Sequence, residues 1–192
     1  MSLITASQLS GYRRSTKLAF TINESLKGFK NESSFLKTKI FMSHKHDEKT
    51  ALEGAVSFLK NFGVEVYVDW LDEEMPKTTS GETAVRLKEK IRDSHKFIFL
   101  ATDAALSSKW CNWELGIGDV VKYIDHIAVF PVKSDYSTYT GNEYLNIYPY
   151  VFNLEYPQLL NGTFRTAGFY IVYPAINGNN KVVPMSDWLR KN

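Results

Sequence analysis

From residue 39 onward the sequence predicts an α/β domain with a central parallel sheet flanked by helices. Two observations carry this. Short apolar runs, Lys39–Ser43, Glu65–Val68, Lys96–Ala101 and His126–Val132, alternate with amphipathic stretches, which is the signature of successive strand–helix units. At 192 residues the chain is also the size of one ordinary domain and can bury most of its apolar surface without a metal or disulfide.

The elements follow in order. Leu18, Ile22, Leu26 and Phe29 recur at helical spacing between basic residues, so residues 5–30 predict one or two amphipathic helices. Residues 1–37 then read as an N-terminal helical extension outside the core, and residues 38–133 as the core itself. After Lys39–Ser43 comes a polar turn and a helix from about Asp47 to Phe62, with Leu52, Ala55, Val56, Leu59 and Phe62 inward and Gly63 as its stop. His46 and Asp47 read as caps of that helix. Asp69–Thr78 is a loop. Thr79-Ser80-Gly81-Glu82 has capping-box spacing, with Ala84, Leu87 and Ile91 on the buried face of the helix that follows. The last unit is a loop over 103–108, a helix from about Lys109 to Tyr123 and the strand His126–Val132.

Residues 134–192 read as an aromatic-rich C-terminal extension completing the domain, since eight of the eleven tyrosines lie there. Gly168–Pro174 and Lys181–Pro184 predict a hairpin around Asn177-Gly178-Asn179-Asn180, and Ser186–Lys191 a short closing helix. The pattern does not locate a fifth parallel strand.

Composition excludes several classes. Lys and Arg total 23 against 21 Asp and Glu, interspersed along the chain, so nucleic acid is not an expected partner. No apolar run approaches the ~20 residues of a spanning helix. A single Cys and an N-terminus without a basic-then-apolar leader fit a reducing, cytoplasmic setting. His44 and His46 with two isolated histidines are too sparse for zinc, and Gly116-x-Gly118 lacks the third glycine and the preceding strand of a dinucleotide fingerprint.

Candidate site residues come from the strand count. Ligands of open parallel sheets bind at the carboxyl ends of the strands, where Ser43, Asp69 and the Ser107 loop fall. Trp110 and Glu114, four apart on one helix, share a face overlooking that rim. Glu114 is the candidate catalytic group. Trp110 is either a wall for a ring or ordinary core. Ser43 and Asp69, with Trp70 beside it, are candidate rim contacts, and Lys109 near the helix start is a candidate phosphate contact. Cys111 has no assignable His/Asp partner and reads as a buried helical thiol.

Residues 38–133 resemble a Toll/interleukin-1 receptor (TIR) domain of the prokaryotic kind. Lys39-Ile40-Phe41-Met42-Ser43-His44 is similar to the family's first box. Val66-Tyr67-Val68-Asp69-Trp70 with Met75-Pro76 is similar to the second strand and BB loop. Ser107-Ser108-Lys109-Trp110-Cys111-Asn112-Trp113-Glu114-Leu115 is similar to the segment carrying the catalytic glutamate. The acidic loop Asp69–Lys77 departs from the Arg-Asp-x-x-Pro-Gly pattern of receptor TIR domains. With its flanking regions the chain most resembles the TIR components of the bacterial Thoeris anti-phage systems. That resemblance implies a flavodoxin-like fold and an enzyme, latent until triggered, that cleaves NAD to a cyclic ADP-ribose isomer. The isomer would activate a separate effector, ThsA, as a diffusible signal. NAD enters as substrate, with no cofactor or metal, and TIR–TIR self-association is a further implied contact.

One carboxylate suffices for such chemistry. The nicotinamide of NAD is a cationic pyridinium that departs neutral, so no general acid is needed, unlike the two carboxyl groups of ordinary glycoside cleavage. An unperturbed Glu, titrating near ~4.3, is anionic at neutral pH and can stabilise an oxocarbenium-like ribose. Two other readings stand beside this one: a non-catalytic TIR scaffold, and a nucleoside-processing enzyme of related fold.

Overall fold

A computed structural model describes residues 2–15, 37–69, 72, 80–136, 139, 141–175 and 178–190. Its strands are β1 (Ile4–Thr5), β2 (Lys39–Ser43), β3 (Glu65–Tyr67), β4 (Lys96–Ala101), β5 (Ile127–Lys133), β6 (Tyr150–Leu154), β7 (Gln158–Leu160), β8 (Thr163–Arg165), β9 (Gly168–Tyr173) and β10 (Lys181–Pro184). The helices are α1 (Ala6–Ser15), α2 (Lys49–Lys60), α3 (Gly81–Asp93), α4 (Asp103–Leu106), α5 (Lys109–Val121) and α6 (Met185–Arg190). Among the described residues, no helix is long and apolar enough to cross a membrane.

The main sheet runs β10-β9-β6-β5-β4-β2-β3. Strands β3, β2, β4, β5 and β6 are mutually parallel, and β2 lies inside its successor β3, the flavodoxin-like order. The strand that the sequence pattern did not locate is β6. It is reached through a 3-10 turn at Glu143–Ile147 instead of an amphipathic helix, so the helical period that marks the other crossovers is missing. The hairpin forms as β9 and β10, antiparallel to each other, and α6 closes the described chain.

Period-two alternation divides the core. Ile40, Met42, Val66, Ile98, Leu100, Ala128 and Phe130 face one way, under α1, α2 and α6. Phe41, Tyr67, Phe97, Phe99, Ala101, Ile127 and Val129 face the other, under α3 and α5. A sheet buried on both faces needs near-continuous apolar strands; β4 is buried at every position and apolar from Phe97 to Ala101 after its opening Lys96.

The first residues belong to this core and not to an extension outside it. Ile4 and Leu9 are buried in the first layer, β1 pairs with the end of β5 at Val132 and Lys133, and Ser2 exchanges backbone hydrogen bonds with Asn153. Gly54 on α2 makes the close approach possible, since a Cβ there would lie 2.4 Å from the Leu9 carbonyl oxygen. Leu18, Ile22, Leu26 and Phe29 lie outside the described residues. The capping box is shifted by one residue. Ser80 is the N-cap of α3, and Thr83 is its reciprocal partner.

Candidate active site

The candidate site assembles where β2 ends. Ser108 caps α5, its hydroxyl accepting from the Cys111 backbone N–H at 3.4 Å. The second turn of α5 then turns Glu114 toward the sheet, with 5 % of its surface exposed. The Ser43 hydroxyl donates to Glu114 Oε2 at 2.5 Å, and this bond is buried. Ser43 and Glu114 are thus brought together across 71 positions of sequence by a strand end and a helix start.

Asp69 arrives through strand register. Phe41 pairs with Tyr67 across β2 and β3, and Asp69 follows the end of β3 by two residues, near enough for its charge to act on Glu114. Two imidazoles converge on it: His46 Nε2 lies 3.2 Å from Asp69 Oδ2, and His44 Nε2 lies 3.7 Å from Oδ1. His44 is buried, its Nδ1 fixed 3.1 Å from the Met42 carbonyl. Since a carbonyl only accepts, Nδ1 carries the proton, and a neutral His44 turns its Nε2 lone pair toward Asp69. That nitrogen has no hydrogen-bond partner among the described residues.

Burial sets the proton affinities. It pushes Glu114 well above the usual carboxylate range, with the negative charge of Asp69 adding to the shift and the Ser43 hydroxyl opposing it. Glu114 is therefore not the untuned anion expected from an exposed helical Glu. Burial lowers His44, against the pull of Asp69, whereas the Asp69 hydrogen bond raises His46, which is partly solvated. The Cys111 thiol donates to the His44 carbonyl at 3.2 Å and is pushed up to about 11 by burial. It is a structural thiol, not a nucleophile.

The other candidates are placed differently. Trp110 is half-buried, packs edge-on against Trp113 at 5.1 Å between ring centroids and rests on the layer containing Cys111 and Leu115. Lys109 is exposed at the first position of α5. His46 and Asp47 do not cap α2. Its N-cap position is Glu48, without a side-chain cap, and His46 is instead the ion-pair partner of Asp69. Trp70 and most of the loop 69–77 lie outside the described residues. Sequence reasoning also missed Glu48, which accepts a hydrogen bond from the Thr102 hydroxyl and so ties α2 to the loop after β4. The available signal was register: aligning the carboxyl ends of β2 and β3 puts Ser43, His44 and Asp69 in one place.

Comparison with known proteins places the chain among relatives. Probable 3' cyclic ADP-D-ribose synthase ThsB' of Bacillus cereus (strain MSX-D12) is 36% identical over 116 residues, covering 58% of this chain and 59% of that protein. Putative cyclic ADP-D-ribose synthase TIR2 of Cytobacillus dafuensis is 27% identical over 79 residues, 40% of this chain and 21% of that protein. The chain therefore spans less than two thirds of the length of either relative. Residues 40–154 match the family model described as TIR domain, which is more than half of the sequence and contains Ser43, Asp69 and Glu114; the chain belongs to the TIR domain family.

Proposed function

We propose that this protein cleaves the bond between nicotinamide and ribose in NAD and closes the remaining ADP-ribose into a cyclic isomer. The observation that carries the reading is the buried Ser43–Glu114 hydrogen bond at the carboxyl edge of the sheet. The names of the two relatives, both cyclic ADP-D-ribose synthases, support the product class.

The chemistry follows from the group placed there. The C1′–N bond breaks with its electron pair going to the nicotinamide nitrogen, which leaves neutral, and positive charge develops on the ribose. Glu114 faces that charge from a site dry enough for the interaction to be strong. The pyridinium cation of the substrate offsets the desolvation that otherwise favours a protonated Glu114, so binding the cation restores the anion. A hydroxyl or adenine nitrogen of the same molecule then attacks C1′ on a folded-back substrate, and for a hydroxyl the released proton passes to the Glu114 carboxylate. Water taking that place would give hydrolysis. In our reading NAD is the substrate, no further cofactor takes part, and the enzyme is cytoplasmic. It stays latent until infection or self-association opens the site, and its cyclic product is an anti-phage signal that activates a ThsA-like effector.

The test is nucleotide mass spectrometry of cells expressing the wild type or Glu114→Gln, with and without phage. NAD loss and a cyclic ADP-ribose isomer are expected only with the wild type. Equal nicotinamide release from Glu114→Gln, under conditions where the wild type is active, overturns the assignment.

A further inference from the structure

A cavity lies on the same face of the sheet as Glu114. Ser43 pairs with Phe99, Phe99 with Val129 and Val129 with Tyr150, so these residues form one row across four strands. With about 4.8 Å between strands, Val129 lies about 10 Å and Tyr150 about 14 Å from Ser43 along that row. Both line a cavity of about 390 Å³, in the range of small-molecule sites. The packed layer of Phe99, Ala105, Cys111 and Leu115 fills the face between it and Glu114.

The lining has a definite chemistry. Flat apolar surfaces come from Tyr139, Tyr150, Pro131 and Pro174, and carboxamides from Asn142, Asn180 and the exposed Asn146. No lining residue carries a charge at neutral pH, the Tyr139 phenol being pushed up to about 12 by burial and nearby Asp103. Two of the amides, Asn142 and Asn180, are already oriented. Asn180 Oδ1 accepts from the Ala175 backbone N–H at 3.0 Å, leaving its NH₂ to donate. Asn142 Nδ2 donates to the Tyr144 hydroxyl at 3.2 Å, leaving its carbonyl to accept. Gly141, at φ 61°, lets the chain turn beneath Tyr139. A Cβ there would sit 3.2 Å from the ring. A neighbouring cavity of about 340 Å³ shares Leu3 and Tyr139 as its wall but is polar, lined by Thr5, Gln8, Lys133 and Glu155.

We propose that this pair of cavities binds a purine nucleoside, with the base between Tyr139 and Tyr150 and the ribose hydroxyls in the polar cavity beyond Tyr139. A neutral planar base suits an uncharged aromatic slot. Its mixed donor–acceptor edge suits one donating and one accepting amide, as carboxamides read adenine elsewhere. The ribose diol suits the Glu155 carboxylate and Gln8 carboxamide of the polar cavity. The base can arrive on a free nucleoside or on a dinucleotide.

Adenosine and NAD are to be titrated separately into Glu114→Gln, where no turnover is expected, with binding read by calorimetry and by NMR shifts of the tyrosine rings. Adenosine is expected to saturate the wild type and Glu114→Gln alike. Tyr139→Phe should keep that affinity, whereas Tyr139→Ala should lose at least about tenfold, the scale of base–aromatic stacking. Asn146→Trp, at an exposed position on the rim, blocks the mouth without touching the core and should abolish binding even if Tyr139→Ala fails to fold. Displacement of adenosine by NAD identifies the dinucleotide as source, and NAD binding without displacement identifies the free nucleoside. Absence of saturation at millimolar adenosine, or binding indifferent to both Tyr139→Ala and Asn146→Trp, overturns the proposal. Because no turnover is measured, either result is independent of whether NAD is cleaved.

Discussion

A carboxyl group whose burial favours the protonated form weakens a fold at any pH where solvent would ionise it, and Glu114 is such a group. Its folded affinity for a proton exceeds the ordinary value of 4.5, so between the two the native state holds a proton that the unfolded chain has released. Stability from this residue is complete below the unfolded value and is lost as pH rises through the folded one. Glu114→Gln keeps an acceptor for the Ser43 hydroxyl and removes the titration. Its melting temperature should match that of the wild type below about pH 4.5 and exceed it near neutrality, each kcal/mol being worth about 2–4 °C in a chain of this size. Equal melting temperatures at pH 7 would show that Glu114 carries no such strain. Ser43, Asp69 and Glu114 were legible in the sequence because strand ends and helical spacing are local patterns. The His46–Asp69 pair was not, because a histidine in a polar turn before a helix looks the same whether it caps the helix or crosses to another loop.

At the scale of elements, the contact between α1 and α2 is set by an absent side chain. Gly54 lets the Leu9 backbone approach to a distance that no Cβ tolerates. Backbone cannot swing aside as a side-chain tip can, so Gly54→Ala should lift α1 from the first layer at a cost of about 1–3 kcal/mol. The melting temperature should fall by several degrees, and amides of α1 should exchange faster while those of β4 keep their protection. Unchanged exchange in α1 would place the contact elsewhere. Within α5, Gly118 plays a milder version of this part against the Phe97 ring, 3.0 Å from a built Cβ. Neither glycine announces itself in sequence, where a helical Gly reads only as a weak spot. This is why the N-terminal helix was expected outside the core. β6 escaped for a related reason: its connection carries tyrosines and a 3-10 turn, with no periodic face.

For the whole molecule, the sheet is completed from both ends of the chain. Residues 2–5 reach β5 and Asn153, while β9 and β10 extend the sheet beyond β6. Deleting residues 2–15 removes Ile4 and Leu9, each worth about 1.5–3 kcal/mol of burial, and strips the Tyr12 ring from Phe58. A melting temperature lower by about 10–20 °C follows from the same scaling, with increased binding of a hydrophobic dye. A truncated chain that melts with the full one would contradict this account. The pairing of Ile4 with Val132 also bears on the order of events at the ribosome. Ile4 waits for some 130 further residues before its partner strand exists, roughly 6–26 s at ordinary elongation rates. During that interval Ile4 and Leu9 are among the stretches a nascent-chain chaperone would meet, so residues made well before β5 are among the last to be enclosed.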